Sequence, residues 1–311
     1  MKGRVCLVTG ASSGIGLETA RMLAARGASV RIVGRNAQRT EEAEAVVRRA
    51  AWGGDVVSFR ADFSSLQDVR QLARDLLARD EPLHVLINNA GVWHQERKLS
   101  RDGFEDTFAV NHLAPFLLTR LLVDRMREAD HARIVHVSSR LHEQAGQTGP
   151  LGRALYLVNV LGIPVRSARG GLALDDLAYE HGYRGLEAYA RSKLAQILFS
   201  NELARRLEGT GVTSNSVHPG SVNTNVVRDN RLLVLGSRIA APFLKTPEQG
   251  AATSVHVACE ARLREVTGGY FADSRQKEAA PSARDATVAR ALWRISSEMV
   301  GVSPEGVGCA P

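Results

Sequence analysis

Arg4-Val5-Cys6-Leu7-Val8-Thr9-Gly10-Ala11-Ser12-Ser13-Gly14-Ile15-Gly16 decides the reading of this chain. Arg4 to Val8 is a short apolar run rich in β-branched residues and reads as a buried strand. Gly14 to Arg26 carries a helical pattern that stops at Gly27, a C-cap residue. Strand, glycine turn and helix together suit a dinucleotide pyrophosphate. Glycine lets the backbone come close, and a helix N-terminus offers unpaired N–H groups at the positive end of its dipole. The spacing is G-x-x-x-G-x-G rather than G-x-G-x-x-G. Glycines also mark ordinary tight turns, so it is the flanking strand and helix that favour a phosphate site.

Outward from this turn, strand-like runs alternate with helical patterns. Ser29–Val33, Val56–Arg60, Leu83–Ile87 and Ile134–Val137 read as strands, and Leu66–Arg79, Phe104–Arg127 and Glu187–Leu207 as helices. Alternation of this kind predicts an α/β, doubly wound, Rossmann-type parallel sheet with helices on both faces. No linker divides the 311 residues, so a single domain over 1–311 is expected.

A second stretch, Tyr189-Ala190-Arg191-Ser192-Lys193, supplies chemistry. Hydride transfer to or from a carbonyl needs a proton delivered to or taken from oxygen. A free tyrosine, with pKa about 10, does this poorly at neutral pH. Lys193 lies four residues on, on the same face if both are helical, and its charge favours the phenolate. Lowering the phenol by roughly 3 units takes about 4 kcal/mol, within reach of one ammonium plus a bound nicotinamide cation. The same spacing also describes an exposed tyrosine beside a solvated lysine.

The ordered set of motifs resembles the short-chain dehydrogenase/reductase family over nearly the whole chain. Asp62-Phe63 follows the third strand and Asn88-Asn89-Ala90-Gly91 the fourth. Asn111 stands in Val110-Asn111-His112-Leu113, Ser138-Ser139 ends a strand, and His218-Pro219-Gly220 and Thr224 follow the tyrosine motif. Within the family the chain looks most like retinol-dehydrogenase-like reductases, through Asn111-His112-Leu113-Ala114-Pro115-Phe116-Leu117-Leu118-Thr119, Ser192-Lys193-Leu194-Ala195 and Thr246-Pro247-Glu248-Gln249-Gly250-Ala251.

The resemblance implies Asn111, Ser139, Tyr189 and Lys193 as catalytic residues. Ser139 would hydrogen-bond the substrate oxygen, and Asn111 would support a water and the lysine. Ser139 is preferred to Ser138 because family members use the second serine, and because alternation turns only one of the pair to the site. It also implies cofactor contacts at Gly10, Ser12, Ser13, Gly14, Ile15 and Gly16, at Asp62 and Phe63 beside the adenine, and at Asn88, Ala90 and Gly91. Tyr189 and Lys193 would join them, with Pro219, Gly220, Val222 and Thr224 around the nicotinamide amide and pyrophosphate. His112 and His218 read as structural histidines.

Cofactor choice is read from the residues after the second strand, Gly34-Arg35-Asn36. An NAD site usually has a carboxylate there for the ribose 2′-OH. Arg35, with Arg39 one turn on, suits a 2′-phosphate through a planar charge-assisted fork, so NADP(H) is expected.

Between Ser139 and Tyr189 lie 49 residues, more than the family's usual gap. The excess falls near Gln147–Gly171 around the apolar run Ala154–Val165. A substrate lid, an oligomer contact, a membrane-surface patch and a neutral excursion are all open readings.

The net charge of +7 comes from 35 arginines and 5 lysines against 33 acids, spread without a basic block, so no nucleic-acid partner is expected. Cys6, Cys259 and Cys309 form no CxxC and no metal cluster. No signal peptide precedes the first strand, and no apolar run spans a bilayer, so a cytoplasmic protein without a transmembrane segment is expected. A homo-oligomer through the helices bearing Asn111 and Tyr189 is implied by the family. The function expected is NADPH-dependent hydride transfer to or from an apolar ketone, aldehyde or secondary alcohol. The alternatives are a nucleotide-binding regulator and a non-redox lyase or isomerase on the same fold.

Overall fold

Apolar, β-branched runs at Val5–Thr9 (β1), Ser29–Gly34 (β2) and Val85–Asn88 (β4) are almost wholly buried, as strands covered on both faces must be. A computed structural model describes residues 1–145, 171–180, 182–222 and 244–310. With Val56–Arg60 (β3), Arg133–Val137 (β5), Thr213–His218 (β6), Tyr270–Ala272 (β7) and Arg275–Lys277 (β8), these runs form one eight-stranded sheet ordered β3-β2-β1-β4-β5-β6-β7-β8. Every pairing is parallel except β7 with β8. The doubly wound α/β fold expected from the alternation is therefore present, and its strand order reverses between β1 and β4. Such switch points, at the carboxyl ends of the strands, are where these sheets bind ligands.

Helices cover both faces. On one side lie Gly14–Ala24 (α1), Ala37–Ala50 (α2) and Pro247–Cys259 (α7). On the other lie Leu66–Leu77 (α3), Ala114–Arg127 (α5), Gly185–Arg206 (α6) and Ala286–Met299 (α8). Two core clusters match the two faces, one built on Leu7, Leu86, Ile134, Phe116 and Leu198, the other on Cys6, Val8, Ile32, Ile87 and Val135. The alternation of Cys6 and Leu7 between them is the two-residue period of a strand.

Local sequence accounts for the helix ends. Asn36 caps α2 and Ser65 caps α3, each accepting from a first-turn N–H. Thr246 and Gln249 form a reciprocal capping box ahead of α7, with Pro247 in its first turn. The helix beginning at Gly14 ends at Ala24, earlier than the pattern to Arg26 suggests. Gly27, at φ +85°, turns the chain with its N–H on the Ala24 carbonyl. The expected helix over Phe104–Arg127 is three pieces: a short turn Asp106–Phe108 (α4), a π-helical turn Ala109–Leu113, then α5. The π turn carries Asn111, whose side chain is bound outside the helix, as described below.

No helix among the described residues is long and apolar enough to cross a membrane. The segment near Gln147–Gly171 lies outside the described residues except for Gly171, and so does Thr224.

Candidate active site

The carboxyl ends of β1 and β4 frame the glycine turn. Thr9 closes β1, and its Oγ1 accepts from the N–H groups of Asn89 and Ala90, both at 3.0 Å. Asn89 Nδ2 donates back to the carbonyls of Thr9 (2.8 Å) and Gly10 (3.3 Å). The glycine turn is thus bolted across the switch point. A methyl group on Gly16 would lie 2.4 Å from both Asn89 Nδ2 and the Gly10 carbonyl oxygen, so this position is closed to any side chain. Gly10 and Gly14 hold φ of +65° and +58°, which glycine adopts without steric cost.

Ser13, at the N-cap of α1, makes no side-chain cap bond. The first-turn N–H groups of α1 are therefore available to an anion. Gly34 packs against this turn: a methyl there would lie 3.0 Å from Ser12 Cβ and 2.2 Å from Thr40 Oγ1. Arg35 follows, exposed and with no ion pair among the described residues. Arg60 at the end of β3 is in register with Gly34. A glycine cradle and an uncapped helix N-terminus at the switch point fit a dinucleotide phosphate.

The other expected contacts spread around this edge. Ile15 and Val222 converge on Gly250 of α7, whose added methyl would meet them at 3.2 and 2.7 Å. Pro219 is buried, and Gly220 turns at φ +93° against the Lys245 side chain. Lys245 in turn pairs with Asp273 at 2.7 Å, and together with Lys277 it holds that carboxyl well below the usual carboxylate range. Asp62 is engaged within its own turn, accepting from Ser64 N–H (3.1 Å) and Oγ (2.9 Å), with buried Phe63 beside it. Asn88 differs from the rest. Its amide nitrogen lies inside the sheet, donating to Thr119 Oγ1 at 3.0 Å and lying 3.3 Å from His136 Nδ1.

The residues expected to be catalytic gather at the end of β5. Lys193 is buried; its Nζ donates to the Val137 carbonyl (2.9 Å) and to Gln196 Oε1 (3.0 Å), and sits 5.5 Å from the Tyr189 ring centre. Burial pushes the Lys193 ammonium down to about 7. Asn111 accepts from Val92 N–H at 2.8 Å and donates to the Val92 carbonyl at 3.0 Å and to Ser192 Oγ at 2.9 Å. These bonds pull it out of helical register, and a π turn absorbs the extra residue. Gly91 closes the group, since its missing methyl would lie 3.2 Å from Asn111 Oδ1 and 3.4 Å from Lys193 Nζ.

The two serines divide as the strand period requires. Ser138 is buried and donates from Oγ to the Lys193 carbonyl at 2.8 Å. Ser139 is half-buried and its Oγ accepts from Leu141 N–H at 3.2 Å, capping a short 3₁₀ turn over Arg140–Gln144. Its carbonyl lies 2.7 Å from His142 Nδ1, and His142 Nε2 accepts from Ala280 N–H at 3.1 Å, so His142 braces the serine from behind.

His112 and His218 take structural places. His112 is packed among Phe108, Phe116 and Phe199, with Nε2 at 2.7 Å from Ser296 Oγ; His218 Nδ1 accepts from Arg140 N–H at 3.2 Å. Burial lowers both to about 3, which removes them as bases at neutral pH. Thr9, Asn89, Ser192 and Gln196 belong to the site's framework and were not among the expected site residues. Thr9 and Asn89 lie inside the motifs quoted above, while Gln196 has no motif to announce it.

Comparison with known proteins defines the class. Residues 4–156 match the family model described as short chain dehydrogenase. Retinol dehydrogenase 12 of Homo sapiens is 39% identical over 302 residues, covering 97% of this chain and 88% of that protein. Retinol dehydrogenase 14 of Mus musculus is 40% identical over 316 residues, covering 97% and 87%. Among solved structures, an uncharacterised protein from Mycobacterium paratuberculosis superposes with a TM-score of 0.73 at 28% identity, covering 97% of this chain and 95% of that one. A short-chain dehydrogenase/reductase variant from Serratia marcescens gives a TM-score of 0.63 at 25% identity over 87% and 96%. This chain belongs to the short-chain dehydrogenase/reductase family and is retinol-dehydrogenase-like: an oxidoreductase of the kind that acts on CH–OH or C=O with a nicotinamide dinucleotide.

Proposed function

We propose that this chain is an NADPH-dependent reductase or dehydrogenase that moves a hydride between nicotinamide and an apolar ketone, aldehyde or secondary alcohol, with Tyr189 as acid/base. The observation that carries it is the buried Lys193 ammonium 5.5 Å from the Tyr189 ring, held at the β5 end one residue before the Ser138-Ser139 pair. The dinucleotide, when bound, supplies or accepts the hydride.

The chain's own residues do the rest. Gly10, Gly14 and Gly16 let the backbone approach the pyrophosphate, and the uncapped start of α1 directs N–H groups at it. Arg35 is suited to a 2′-phosphate by its charge, and no carboxylate among the described residues pairs with it. Ser139 orients the substrate oxygen, and Tyr189 donates the proton to it in reduction or removes it in oxidation. Lys193 stabilises the phenolate left behind, and Asn111 ties the helix carrying Tyr189 to the loop after β4. An apolar substrate class is supported by relatives whose names specify retinol.

The test is oxidation of NADPH, followed by absorbance, with a panel of hydrophobic aldehydes and ketones that includes retinal. Turnover by the wild-type chain that is lost in Tyr189→Phe supports the reading. Failure across the panel with tight NADPH binding favours a nucleotide-binding regulator.

A further inference from the structure

One side chain in the catalytic framework has no task in the chemistry described so far. Gln196 is 1% exposed and lies one turn after Lys193 on α6. Its amide oxygen accepts from Lys193 Nζ at 3.0 Å, while its amide nitrogen has no hydrogen-bond partner among the described residues. A buried amide with an unmade donor is costly, and an apolar residue would pack there at lower cost. What the amide gains at this position is the lysine bond.

We propose that Gln196 is a positioning residue: its amide oxygen, with the Val137 carbonyl, holds the Lys193 ammonium charged and aimed beside Tyr189. This rests on the reading of Tyr189 and Lys193 given above. Hydrogen bonds to the charged form of a buried group favour that form, and here they oppose a burial that drives Lys193 towards neutrality near pH 7. Other elements packed around Lys193 turn their ionisable groups elsewhere. His136 lies against Asn88 and Ser214, His112 against Ser296, and His142 against the Ser139 carbonyl and Ala280. His218 accepts from Arg140 N–H, Asp106 pairs with His94, and Arg140 and Glu143 act on Tyr270. Tyr189, on the same helix, is the ionisable neighbour that responds. If Lys193 loses its proton, the phenolate loses its counter-charge.

The chain has only five lysines, Lys2, Lys98, Lys193, Lys245 and Lys277, so ¹³C-labelled lysine side chains are separable by NMR in the full protein. Gln196→Met keeps the bulk and removes the acceptor; Gln196→Glu replaces it with a charge. The Lys193 titration midpoint is expected to fall by about one to two pH units in Gln196→Met, the equivalent of one bond to an ionised group, and to rise in Gln196→Glu. In Gln196→Met the acidic limb of kcat/KM for alcohol oxidation should move to higher pH, because phenolate forms less readily. A residue that merely fills space would lower the melting temperature and leave the Lys193 midpoint unmoved. An unmoved midpoint in a folded variant overturns the proposal, and so does a moved midpoint with an unmoved kinetic limb. Full turnover in Tyr189→Phe would instead overturn the reading of the site, which the lysine titration does not test.

Discussion

Asn111 on the π turn donates to Ser192 on α6 at 2.9 Å, joining positions 81 residues apart. Ser192 Oγ passes the bond on to the Tyr189 carbonyl at 2.7 Å. The loop after β4, the π turn and the helix bearing Tyr189 are therefore one hydrogen-bonded unit, and the backbone of Tyr189 is fixed through it.

Asn111→Ala breaks that unit at its centre. Val92 loses the partners of both its N–H and its carbonyl, and an unsatisfied buried polar group costs about 1–3 kcal/mol. Melting should drop by several degrees, since roughly 1 kcal/mol moves a domain of this size by about 2–4 °C. Turnover should fall with it. A variant that melts with the wild type would show that the Asn111 bonds are ornamental.

Arg35→Ala should weaken NADPH binding by roughly 10- to 100-fold, the value of a charge-assisted bond, and leave NADH nearly unchanged. Titration with both cofactors checks it. Equal losses for the two would remove Arg35 from the 2′-phosphate and make Arg39 the candidate.

Gly16→Ala places a methyl 2.4 Å from the Gly10 carbonyl oxygen and Asn89 Nδ2, so the turn must open to admit it. Dinucleotide binding should be lost or strongly reduced. Gly171→Ala is the control, since nothing among the described residues lies within 4 Å of its added methyl, and its binding and melting should match the wild type. Wild-type cofactor affinity in Gly16→Ala would mean the glycine turn does not form the site.

The fold could be read from the sequence because it depends on local patterns: β-branched runs, capping residues such as Asn36 and Thr246, and a glycine turn between a strand and a helix. The alternation announced a doubly wound parallel sheet, while the strand order and its reversal between β1 and β4 come from the structure. The π turn could not be read, because Phe104–Arg127 keeps a helical pattern and the cause lies in Val92 and Ser192, both distant in sequence. Asn88 and Asn89 could not be divided for the same reason. Which of two adjacent amides enters the sheet and which braces the glycine turn depends on Thr119 and His136 on neighbouring elements. Alternation did separate Ser138 from Ser139, because a strand's two-residue period survives to its last residue.

Acid should unfold this protein through its buried histidines. His112, His136 and His218 are held neutral by burial, each lowered to about 3. Unfolded, they take up protons below about pH 6.5, so the unfolded state binds more protons than the native one between there and pH 3. Stability is thus present above that range and lost as pH falls through it. Urea midpoints measured from pH 7 to 4 should decline steadily. A midpoint at pH 4 equal to that at pH 7 would mean these histidines are accessible in the native state.

Tyr189→Phe tests the central claim most directly. It keeps the ring over which Lys193 lies and removes the oxygen proposed to exchange a proton with substrate. Steady-state turnover of NADPH with the best carbonyl found should fall by roughly 100-fold or more, the scale of a lost general acid, while NADPH affinity and melting stay near wild type. Turnover within a few-fold of wild type in that folded, NADPH-binding variant would contradict the assignment of Tyr189 as the acid/base.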